Sequence, residues 1–190
     1  IFVRTNLKHE QRHDQQGEIN LYCIIRMGIT LGCSYILCSN QYTSTTLFLM
    51  LYITTSGYNY SYKRCMRIVE WFVEKYLPNH KITVNVEHKG MLREGVFAWI
   101  WSTTDYRPRE FEIEIHNRLS PQQYTETLLH ELWHLYQHVK GNLKDKRGKR
   151  LWKGIDHSKT DYKNQPWEIE ALKMEEIMYR EYVREHKFIL

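Results

Sequence analysis

Apolar residues return at helical spacing in three stretches of this chain and alternate in shorter ones. Met66, Val69, Phe72, Val73 and Tyr76 share one face of a helix expected over Lys63–Tyr76, which Leu77-Pro78-Asn79 should stop. Ile82–Val86, Gly95–Trp101 and Phe111–Ile115 read as strands, the last with apolar residues on one face and carboxylates on the other. Tyr124, Leu128, Leu132, Leu135 and Val139 predict a second helix over about 121–140. Ser120-Pro121-Gln122-Gln123 forms its capping box and Gly141 its stop. Trp167, Ala171, Met174, Met178 and Tyr182 predict a third, starting near Pro166. The expected order is helix, small antiparallel sheet, helix, loop, helix, an α+β domain.

Before these elements the chain has a different character. No Asp, Glu, Lys or Arg occurs from Met27 to Tyr62, whereas the following residues are densely charged. This break predicts an extension over 1–57 lying outside a domain at 58–190. Leu21–Ser39 is apolar, but Arg26 interrupts it and Gly, Ser, Thr and Cys dilute it, so a membrane anchor is disfavoured. The four cysteines show no CxxC spacing, which supports neither a disulfide framework nor a thiolate metal site, and a reducing intracellular setting is expected.

The most specific chemistry lies inside the second helix. His130-Glu131-Leu132-Trp133-His134 is an HExxH string, and residues four apart on a helix share a face. Both imidazoles can therefore reach one ion while Glu131 stands beside it as general base, the arrangement of a zinc hydrolase. Chance places such a string in roughly one chain in twenty of this composition, so its setting on a capped, amphipathic helix matters. Zinc in a hydrolase takes three protein ligands and water. The third is sought downstream among Glu168, Glu170, His157 and His138. His138 would have to reach past His134, and Glu170 suits the dipole of the third helix. Tyr162 and His157 are candidates to assist the reaction.

The stretch Thr127–His134, followed by Leu151-Trp152-Lys153-Gly154 and Pro166–Ala171, resembles small phage and viral metallopeptidase-like proteins related to the SprT-like group. Its Glu-x-Glu-Ala tail resembles the ImmA/IrrE-type peptidases and the wider gluzincins. In those, a glutamate on the following helix, three positions before a small residue, is the third ligand. The resemblance implies a minimal zincin-like domain and zinc held by His130, His134 and Glu168, with Ala171 as the small residue. SprT proteins tend to use a third histidine, which would point to His157. The motifs span 127–171; from 58 to 126 the likeness is architectural, and it does not reach 1–57.

The expected activity is therefore peptide-bond hydrolysis, with a peptide or protein substrate docked along Phe111–Ile115 as an edge strand. Between His138 and Lys153 seven Lys/Arg face one Asp, so the loop 140–153 could attract nucleic acid. Together with the resemblance to the SprT-like group, this implies a protease acting on DNA-bound proteins as one alternative. A non-enzymatic binding module braced by zinc is the other.

Overall fold

The fold is α+β. A computed structural model describes residues 20–22, 51–91, 95–104 and 107–186. Ser61 starts helix α1 (Tyr62–Tyr76), its hydroxyl accepting from the Arg64 N–H. Leu77 closes the helix, and Pro78 cannot continue it. Cys65, Ile68, Val69, Phe72 and Val73 are fully buried along its inner face.

Five strands form the main sheet: β1 (Asn20–Tyr22), β2 (Leu51–Gly57), β3 (Ile82–Lys89), β4 (Ala98–Ser102) and β5 (Glu110–His116), in the order β1-β2-β3-β5-β4. The sheet is mixed rather than antiparallel as expected. β2, β3 and β5 run parallel, with β1 and β4 antiparallel at the two margins. Parallel neighbours need a crossover, and α1 supplies it between β2 and β3.

Two expectations change as a result. The composition break near residue 58 is not where the folded unit begins. β2 pairs with β3 along its whole length and places Leu51, Ile53 and Thr55 in the interior. Its other face carries Tyr52, Thr54 and Ser56, half-buried side chains without formal charge, so the absence of charge belongs to a strand of the sheet and not to a separate extension. β5, in turn, is no edge. It lies between β3 and β4, so Phe111–Ile115 already has a partner on each side. The apolar stretch 23–39 lies outside the described residues, among which no helix is long and apolar enough to cross a membrane.

Helix α2 (Pro121–Val139) opens with the expected capping box: the Ser120 hydroxyl accepts from Gln123 N–H, and Gln123 Oε1 accepts from Ser120 N–H at 3.2 Å. Gly141, at φ +73°, turns the chain out of it. α2 packs on β4 and β5 and contacts both α1 and helix α3 (Pro166–Glu185), whose C-terminal half also meets α1 through Trp71, Lys75 and Tyr76. The basic segment is a three-stranded antiparallel sheet of β6 (Leu143–Lys146), β7 (Lys149–Trp152) and β8 (Ile155–Asp156). It has its own small core of Leu143 and Trp152 against Trp167 of α3.

Candidate metal centre

Residues 130 and 134 stand one turn apart on the face of α2 that meets α3, and Glu168 sits in the first turn of α3 opposite them. His130 Nε2 and His134 Nε2 are 3.2 Å apart, and each is 3.5 Å from Glu168 Oε2. Nitrogen and oxygen ligands about 2.0–2.1 Å from a shared tetrahedral ion stand roughly 3.3 Å from one another. The observed triangle therefore fits a single small divalent cation. These three residues can hold a metal ion, and among the described residues no other group of His, Cys, Asp and Glu has that form. Exposure is 0% for His130, 1% for His134 and 2% for Glu168.

The far side of each ring is also held. His130 Nδ1 lies 2.9 Å from Glu175 Oε2, and His134 Nδ1 lies 2.9 Å from Gln137 Oε1. An Nδ1–H donated outward directs Nε2 at the centre, where its lone pair binds an ion that displaces any proton there. The acidic surroundings favour positive charge here. Burial opposes a cationic His130, yet hydrogen bonds to Glu168 and Glu175 and the Glu131 charge outweigh it, lifting its pKa to about 10. Burial likewise opposes an ionised Glu168, but the neighbouring imidazoles hold its carboxyl well below the usual range.

Glu131 differs from the other carboxyl groups of the site, Glu168, Glu170 and Glu175, each of which has a hydrogen-bond or ion-pair partner. It is fully buried, and neither carboxylate oxygen has a hydrogen-bond partner. Burial is the main cause that pushes its pKa up to about 7, against the pull of His130 and His134. A buried carboxyl without partners costs about 1–3 kcal/mol or more. Such a group fits a site that receives a polar ligand beside the ion position, and so fits the donor set.

The remaining candidates are elsewhere. Glu170 accepts from Trp133 Nε1 at 3.1 Å and Gln137 Nε2 at 2.9 Å and does not join the triad. His157 bonds Thr160 Oγ1 at 3.2 Å and meets the Trp167 ring edge-on. His138 packs near the Phe111 ring, and burial lowers its pKa to about 4. Tyr162 reaches the centre's margin, donating to Glu168 Oε2 at 2.9 Å.

Sequence reasoning overlooked Gln137 and Glu175. The signal was present in the spacing. Gln137 lies three residues beyond His134, and Glu175 lies two turns beyond Glu168 on the stripe that buries Ala171, Met178 and Tyr182.

The basic hairpin is less positive in space than along the chain. Arg150 pairs with Asp145 at 2.9 Å, Lys149 with Asp156 at 3.4 Å and Lys153 with Glu170 at 4.0 Å. Lys153 and Arg150 also lie over the Trp152 and Trp167 rings. Comparison of the chain with protein-family models, with curated proteins and with solved structures gives no match in any of the three, so the functional reading rests on this geometry.

Proposed function

We propose that this chain is a zinc-dependent metallopeptidase of zincin-like architecture, with His130, His134 and Glu168 as ligands and Glu131 as the general base. The observation that carries the reading is the juxtaposition of a tetrahedral-sized donor triangle with a buried carboxylate that lacks any protein partner. Zinc bound there supplies Lewis acidity toward a carbonyl and brings the pKa of a coordinated water to about 7.

The protein's own groups supply the rest. Glu131, balanced near neutrality, takes a proton from the attacking water and delivers it to the leaving amine nitrogen. Glu175 and Gln137 hold the two rings by Nδ1. The Tyr162 hydroxyl, hydrogen-bonded to Glu168, is a phenol able to turn toward a substrate oxygen. With β5 enclosed, β4 is the marginal strand of the described sheet that packs on α2, and an extended peptide would dock along it.

The near-complete burial of the triad favours a second reading, a metal-braced module without turnover. Glu131→Gln separates the two. In a peptidase it leaves bound zinc unchanged and lowers kcat/KM on a generic protein substrate by about 10²–10⁴-fold. No peptidase activity in the zinc-loaded wild type, with metal content equal in both proteins, would leave only the bracing role.

A further inference from the structure

We infer that Gln137 is the positioning residue of the metal centre, a single side chain that fixes the His134 ring and grips the turn of α3 bearing Glu168. The inference rests on reading the site as a metal centre and extends it to how ligands from two helices are held in register. Gln137 is fully buried. Its Nε2 lies 3.0 Å from the Trp167 carbonyl oxygen and 2.9 Å from Glu170 Oε2, and both of these only accept. The amide therefore has one workable orientation, with Oε1 toward His134 Nδ1 at 2.9 Å. An acceptor at that point requires the proton on Nδ1 and leaves Nε2 as the free lone pair. Gln137 thereby selects the tautomer that can bind an ion.

The same amide brackets the third ligand. Trp167 immediately precedes Glu168 and Glu170 follows it by two, so the two acceptors of Gln137 Nε2 flank the ligand in sequence. Trp133 Nε1 donates to the same Glu170 oxygen at 3.1 Å and reinforces the attachment of α3 to α2. Glu175, by contrast, is partly exposed and holds His130 from the third turn of α3, two turns beyond Glu168.

A mere packing role and a positioning role predict different outcomes for isosteric changes. Gln137→Glu keeps an acceptor for His134 but sets a carboxylate against Glu170. Adding Glu170→Gln restores a donor between the two positions. Two quantities are measured on the full chain: the His134 tautomer, by ¹H–¹⁵N correlation in the metal-free protein, and zinc affinity, by chelator competition. Wild type should show one tautomer, protonated at Nδ1. Gln137→Leu should mix the tautomers and weaken zinc binding by about 10–100-fold. Gln137→Glu should also bind zinc more weakly, and the double variant should recover most of that loss. Wild-type tautomer and affinity in Gln137→Leu would overturn the inference, as would a double variant no better than Gln137→Glu. Should Gln137→Leu fail to fold, the single and double isosteric variants decide. A wild type that binds no zinc defeats the metal reading itself, while the tautomer comparison still judges Gln137.

Discussion

His88 and the pair His130 and His134 are all buried, and they are wired differently. His88, on β3, is fully buried and has both ring nitrogens occupied: Nδ1 faces the Ser56 carbonyl at 3.0 Å and Nε2 the Tyr124 hydroxyl at 2.8 Å. Tyr60 stacks on the ring at 3.5 Å and sends its hydroxyl to Thr55. Every lone pair and proton is used within the protein. His130 and His134 are equally buried, but only their Nδ1 atoms are tied outward, while their Nε2 atoms face each other and Glu168. Burial thus does not distinguish a ligand from a brace. The nitrogen left over does.

The sharpest way to break this contrast is by metal content. His134→Ala should lose zinc by more than about 100-fold in affinity, whereas His88→Gln should bind it as wild type does, both read by chelator titration and elemental analysis. Equal loss in the two variants would erase the distinction.

A second effect appears in the pH dependence of stability. Burial lowers the His88 pKa from 6.5 to about 4, against the raising influence of carbonyl hydrogen bonds. The folded state then binds fewer protons than the unfolded chain across that interval. Stability is therefore fully present above about 6.5 and falls as pH drops toward 4, by up to about 3 kcal/mol from this group. His138, lowered to about 4 by burial, adds in the same direction. The His130 contribution, with its pKa raised to about 10, changes only above 6.5, whereas Glu131, raised to about 7, adds stability as pH falls from 7 to 4.5 in wild type and variant alike, so the difference between the two curves isolates His88. Denaturant unfolding of metal-free wild type and His88→Gln from pH 7 to 4 should show a shallower loss in the variant. Parallel curves would count against a neutral, braced His88.

The smallest effect tests the brace itself. Tyr124→Phe leaves His88 Nε2 without its donor and should cost about 2 kcal/mol in unfolding free energy, with zinc affinity unchanged. A fall in zinc affinity would mean that the two histidine sets communicate through α2.

The parts of this molecule that were readable in the sequence are those written locally. Helix α2 declared itself through its period, Ser120 and Gly141, and the ligand pair through a four-residue interval. Glu168 came from a resemblance that the geometry brings to the same point. What was missed depends on partners distant in the chain. Whether β2 belongs to the sheet is decided by pairing with residues about thirty positions on, and a strand's period does not name its neighbour. The same blindness made β5 look like an edge. The spacing put Gln137 and Glu175 on suitable helix faces, but only the packing of α3 on α2 brings Glu175 to His130 and gives Gln137 its acceptors at Trp167 and Glu170.

The small core of Leu143, Trp152 and Trp167 gives the hairpin a mechanical consequence. Trp167 is the peg by which β6–β8 grips α3, one residue from the ligand carboxylate, so shortening the hairpin should tilt Glu168 out of line even though no hairpin residue joins the triad. It also makes indole emission a gauge: the part of the six-tryptophan signal that Trp152→Phe removes should report whether the ligand-bearing turn is seated.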